Sequence, residues 1–144
     1  MAHGLPRQIP SPWQAPTCLS QALDTMKASK YWNNGTVVSL TDGTMNTMAH
    51  AIAVSGKDVY VAGYESNESI KVAKYWLNGT AVNLTDGSKN AEANSIVVSG
   101  SDVYVTGYEN NGTADVAKYW KNGMAMSITD GSKNAIGNSI CVVK

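Results

Sequence analysis

The stretch VAKYWLNGTAVNLTDGSKN, residues 72–90, constrains the fold most, because the chain writes it three times. Forty-four residues earlier it reads ASKYWNNGTVVSLTDGTMN, and forty-four residues later VAKYWKNGMAMSITDGSKN. The frame is set by Tyr31-Trp32, Tyr75-Trp76 and Tyr119-Trp120, and again by Asp42-Gly43, Asp86-Gly87 and Asp130-Gly131. The copies span residues 27–70, 71–114 and a shorter 115–144, and they align without a gap. A fixed period in this range is the mark of a repeat architecture, in which each unit buries its apolar face against the next.

Each copy holds four short strand-like runs. In the second copy, VAKYW (72–76) ends at Asn78-Gly79, a dipeptide suited to a tight hairpin because both turn positions need φ > 0. AVNLT (81–85) alternates apolar and polar residues and stops at Asp86-Gly87. SIVVS (95–99) and DVYVTGY (102–108) follow, separated by Gly100-Ser101. Runs of five to seven β-branched and aromatic residues joined by such turns predict an antiparallel meander. No segment inside the repeats has a helical period. The fold class read from the residues is therefore all-β, built of four-stranded meanders.

The motifs SIVVSGSDVYVTGYE and VAKYWLNGTAVNLTDG resemble the bacterial β-propeller repeats that pair a V-x-G-x-D-V-Y-V-x-G hairpin with a Y-W-x-N-G hairpin. More distantly they resemble kelch-type blades, although the doubled glycine of true kelch repeats and the WD dipeptide are absent. The resemblance covers residues 27–144. It implies that each meander is a blade, with 95–99 innermost and 81–85 outermost, and that Ile96 and Val98 share one face. It also implies that Trp76 and Trp120 pack between blades. The alternative for Trp32, Trp76 and Trp120 is a repeated surface for stacking a sugar ring.

With the four strands of a blade lettered A to D from the innermost outward, the chain runs C-D, A-B-C-D, A-B-C-D, A, the last strand being 138–143. Propellers close with about four to eight blades, so three are too few, and open sheet edges are hazards. A head-to-tail contact between copies that closes makes a ring. Two chains give six blades and three give nine. We favour the six-bladed homodimer, in which the terminal strand of each chain completes a half-blade of its neighbour; the homotrimer is the other closed solution.

Residues 1–26 do not repeat and hold all four prolines. Ala15–Gln21 falls where an inner strand of the first blade belongs. The competing expectation, which we favour, is a short helix capped by Ser20 with Leu19, Ala22, Leu23 and Met26 on one face. Cys18 and Cys141 read as two small apolar residues or as a bridge, within or between chains.

Eleven basic and eleven acidic residues balance and form no basic cluster, which argues against nucleic acid or an anionic membrane surface as partner. No apolar run approaches the ~20 residues that span a bilayer, and the first residues carry no signal-peptide core. The location of the protein is left open.

Repeated residues report what every blade needs, so candidate site residues are sought where copies differ. His50 stands where the later copies have Asn94 and Asn138. These three are candidate ligand contacts; the alternative is that each only starts a strand. No Ser/His/Asp or Cys/His set accompanies His50, so no catalytic residue is assigned. TDGSKN faintly resembles a calcium loop but lacks its further acids, and turn formation accounts for Asp-Gly. No metal or cofactor is expected. The function expected is a non-catalytic binding or scaffolding module with a glycan or small-molecule ligand. The alternatives are an enzyme with its site at the channel mouth, or a foldable repeat fragment without a selected activity.

Overall fold

The computed structural model describes residues 19–21 and 29–144. Among these residues there are eleven strands and no helix. β1 (Leu19–Gln21), β2 (Ser29–Asn33) and β3 (Thr36–Ser39) form a first sheet. β4 (Asn46–Ser55), β5 (Asp58–Ser66), β6 (Lys71–Leu77) and β7 (Thr80–Asn83) form a second. β8 (Ala91–Ser99), β9 (Asp102–Asn110), β10 (Asp115–Lys121) and β11 (Met124–Ser127) form a third. Every pairing is antiparallel between sequence neighbours, and the register repeats: Val61 lies opposite Trp76, and Val105 opposite Trp120.

The turns hold this register by local chemistry. Asn78 and Gly79 take φ of 51° and 89°, and Asn122 and Gly123 take 50° and 86°. Both residues of a two-residue hairpin of this hand must be left-handed, which asparagine and glycine tolerate best. The asparagine side chain has a second task. Asn78 Oδ1 accepts the Val59 N–H at 2.9 Å while its Nδ2 donates to Asp58 Oδ1 at 2.9 Å. Asn122 does the same with Val103 and Asp102. The Asp of GxDVYV and the Asn of YWxNG are thus two halves of one clamp, which binds the β4–β5 turn to the β6–β7 turn, and again the β8–β9 turn to the β10–β11 turn.

The sheets pack face to face in chain order. Tyr31 and Leu40 of the first meet Ala49, Val59, Val61 and Trp76 of the second. Ala62, Ala73 and Leu84, on the other face of the second, meet Ala93, Ile96, Val103, Val105 and Trp120 of the third, with Tyr75 and Val98 packed alongside. Ile96 and Val98 share a face, as the period-2 pattern requires. Trp76 and Trp120 have no exposed surface.

One expectation is corrected, and one is not met within a single chain. The residues at Leu19–Gln21 are a strand, with Leu19 opposite Tyr31 and Gln21 opposite Ser29. The exposed edge of β2 offers backbone hydrogen bonds that a helix starting at Ser20 would forgo. The other positions of that helix (Ala22, Leu23, Met26) lie outside the described residues, as does Cys18. Residues 138–143 form no strand, because an extended segment becomes a ladder only beside a strand partner, and no described strand lies along it. The preceding residues are nonetheless docked: Ala135 N–H donates to Asp115 O at 2.7 Å, and Gly137 N–H to Gly107 O at 3.0 Å. Cys141 is exposed and free.

Candidate functional site

The divergent position singled out by sequence lies at a β-bulge in each complete sheet. On β4, Ala49 lies opposite Gly63 and Ala51 opposite Ala62, so His50 is the extra residue. On β8, Ala93 lies opposite Gly107 and Ser95 opposite Thr106, so Asn94 is the extra residue. Each bulge swings a carbonyl over a glycine. A Cβ placed on Gly63 would lie 1.9 Å from Met48 O, and one on Gly107 1.9 Å from Glu92 O. The glycine inside the DVYVxGY strand is what admits the bulge.

The bulge re-aims its residue along the stack of sheets. His50 Nδ1 lies 3.0 Å from Asn94 Oδ1, and Asn94 Nδ2 donates to Gly137 O at 3.0 Å. Gly137 O can only accept, so the amide nitrogen of Asn94 must face it and the amide oxygen must face His50. His50 Nδ1 therefore carries the proton in this contact, and in the neutral ring Nε2 keeps its lone pair. The His50 ring stands edge-on to Tyr64, with centroids 5.6 Å apart. The structure thus joins His50 to Asn94 directly. It joins Asn94 to the third copy through the backbone of Gly137, while the Asn138 side chain is exposed.

A polar cluster adjoins the ladder and occurs once. Lys71 Nζ is 2.5 Å from Glu92 Oε1 and sits 4.7 Å from the centre of the Tyr64 ring. Its counterpart one copy on is Asp115, and those of Glu92 are Met48 and Ile136. The pair therefore marks only the junction of second and third sheets. Burial, followed by the Glu92 carboxylate, drives the Tyr108 phenol far above its ordinary range, and the Glu92 hydrogen bond raises Lys71.

A second ion pair recurs. Lys74 Nζ is 2.6 Å from Glu65 Oε1, and Lys118 Nζ is 2.7 Å from Glu109 Oε2. Sequence reasoning passed over these pairs, although a Lys nine residues after a Glu in both copies was a legible signal. The TDG acids hold turns: Asp86 Oδ1 accepts from Ser88 N at 2.9 Å and Ser88 Oγ at 2.6 Å, and Asp42 and Asp130 bind Thr44 and Ser132 likewise. These bonds lower all three carboxyls, with the hydroxyl foremost for Asp42 and Asp86 and the Ser132 N–H foremost for Asp130. Among the described residues, no three His, Cys, Asp or Glu come together as a metal site. The same residues hold no helix long and apolar enough to cross a membrane.

The shifts have a defined sign. Carboxyls lowered on folding contribute stability that is complete above the unfolded value of about 3.9 and is lost as pH falls through their folded values. Lys71 and Tyr108 are raised, so their contribution is complete below about 10 and is lost as pH rises further. The urea midpoint is expected to stay flat between about pH 5 and 9 and to fall on both sides, and Tyr108→Phe to flatten the alkaline limb. A midpoint sloping steadily through neutrality would contradict this assignment.

The tryptophans among the described residues separate into two groups. Trp76 and Trp120 are wholly buried between sheets, so neither presents a stacking surface for a ligand. The hydrophobic contact between sheets claims the whole indole of each, and the Nε1–H of each has no acceptor. Trp32 is half-buried. No protein-family model, no curated protein and no solved structure matches the chain.

Proposed function

We propose that the protein is a non-catalytic binding or scaffolding module whose sheets are β-propeller blades, and that two copies close head to tail into a six-bladed ring. One observation carries this reading. The same inter-sheet contact is built twice inside the chain, with Tyr31 and Leu40 against Trp76 and then Tyr75 and Leu84 against Trp120. Both halves of a third such contact remain. Ile128, in the place of Leu40 and Leu84, is 57% exposed where they are 5% and 8% exposed. Tyr119 and Met126 flank it on the same face. Trp32, in the place of Trp76 and Trp120, is half-buried beside the exposed Val37.

The seating of the third copy supports the reading. Ala93 packs in one cluster with Ala62 of the second sheet; one copy on, Gly137 sits against Thr106 of the third. A Cβ on Gly137 would lie 2.2 Å from Thr106 Oγ1. A small residue has become smaller where its neighbour has become larger, so residues 135–137 occupy the seat that the next blade's inner strand would take. Residues 138–143 are then available to pair in a neighbouring copy. In such a ring the bulges repeat around the axis, and His50, Asn94 and Asn138 line its rim as ligand contacts.

Light scattering on residues 1–144 is expected to give twice the 15.3 kDa chain mass, and Ile128→Arg to give a folded monomer. A wild-type monomer at micromolar concentration sinks the ring. A trimer keeps the contact but overturns the six-bladed count.

A further inference from the structure

The loop from Ser39 to Met45 borders, with the second sheet, an open groove of about 320 Å³. Its floor is the Glu65–Lys74 pair, whose side chains are only 16% and 12% exposed. Asp42 and Thr44 stand on one wall, and Met45 and Ala81 supply apolar surface. We infer that this cleft is a binding site for a neutral polyhydroxyl ligand of the size of one or two sugar rings. The inference rests on the reading of the chain as a binding module, but not on ring closure, because every lining residue belongs to one chain.

Electrostatics selects the ligand class. Asp42 and Glu65 against Lys74 leave one net negative charge in the cleft, which disfavours phosphates and carboxylates. The Lys74 ammonium on the floor disfavours a divalent cation. Neutral hydroxyls suit the groups that remain. Lys74 carries three donors and uses one on Glu65 Oε1. The carboxylate of Glu65 has further acceptor positions. A pair of adjacent hydroxyls can accept from the ammonium and donate to the carboxylate, while the C–H face rests on Met45 and Ala81. The volume lies at the small end of ligand pockets, about 300–1,000 Å³, so larger ligands would protrude.

Glycine keeps the cleft open at its outer edge. A Cβ on Gly79 would lie 2.9 Å from Val38 Cγ1, and any larger residue there pushes the β3 edge aside. The floor pair and the Leu-Thr-Asp-Gly loop recur at the next junction as Glu109, Lys118 and residues 84–87. There Lys89 replaces Met45 and adds a cation.

The test is amide chemical-shift mapping on labelled residues 1–144. Glucose, galactose, mannose and N-acetylglucosamine are titrated singly, with inorganic phosphate and magnesium as controls. At least one sugar is expected to move the amides of Asp42, Thr44 and Lys74, with affinity on the order of millimolar, while the controls leave them in place. Met45→Trp, which plugs the cleft from its loop, should weaken binding about tenfold or more. Asp42→Asn, which retains the amide oxygen that holds the Thr44 turn, should weaken it about threefold and covers the case in which Met45→Trp fails to fold. Several results overturn the site: no response to any sugar, a response to phosphate or magnesium instead, or sugar binding untouched by both variants. A sugar that moves only His50 and Asn94 also overturns it, while leaving the binding-module reading intact.

Discussion

Trp120→Ala is expected to remove about 3–5 kcal/mol of stability, the range for deleting a large buried aromatic side chain. That is a large share of the ~5–15 kcal/mol that holds a typical domain together. The upper end applies here for a specific reason. The opposing wall is Ala62, Ala73 and Leu84, with Ala91 and Ala93 beside them. Alanines have no side chain that can swing into the space, so the cavity stays open. Urea unfolding followed by circular dichroism should show either a much lower midpoint or loss of the cooperative transition. Trp120→Phe is the informative control. It loses volume but also removes an indole N–H that has no acceptor, and a buried unsatisfied donor costs about 1–3 kcal/mol. The phenylalanine variant should therefore lose clearly less than the alanine one. An alanine variant within 1 kcal/mol of wild type would show that the third sheet does not depend on the second.

Gly107→Ala should be nearly as damaging although it adds only a methyl group. The new Cβ would sit 1.9 Å from Glu92 O, 2.9 Å from Glu92 C and 3.1 Å from Ala93 Cα. All three are backbone atoms, so no side chain can rotate away. The bulge must open, and without it the β8 register slips by one residue and turns Ile96 and Val98 toward the opposite face. The cost should exceed the ~1–3 kcal/mol of ordinary overpacking. The expected readout is loss of the native amide spectrum for the third sheet, with His50 losing its contact to Asn94. Gly100→Ala is the comparison: its φ of +61° is left-handed, which that of Gly107 is not, but its Cβ would meet nothing within 4 Å. If Gly107→Ala gives a native spectrum and near-normal stability, the bulge is not what that glycine serves.

Much of the architecture was legible because it is local. Asn-Gly needs two left-handed residues in a row, and the hairpins formed at Asn34, Asn78 and Asn122. Alternation put Ile96 and Val98 on one face. Sequence reasoning singled out His50, Asn94 and Asn138 by divergence alone; that His50 and Asn94 sit at bulges was not read from it. The cause was written in the strand glycines Gly63 and Gly107, whose presence in a β-branched run signals a bulge or a close backbone approach. At Leu19–Gln21 a strand formed where a helix start was expected, because three residues beside an open sheet edge follow that edge whatever their own propensity.

The sequence by itself determined the period, the strand count of each complete sheet and the turns at Asn34-Gly35, Asn78-Gly79 and Asn122-Gly123, since these follow from backbone sterics within a few residues. Only the tertiary structure decided that Trp76 and Trp120 are buried without residue, because burial depends on what the next sheet brings to the face. Only it joined His50 to Asn94, residues forty-four apart, because a bulge is a mismatch between two strands and belongs to neither alone. And only it separated Ile128 from Leu40 and Leu84. The three occupy one place in the repeat, and what distinguishes them is whether another sheet lies on top.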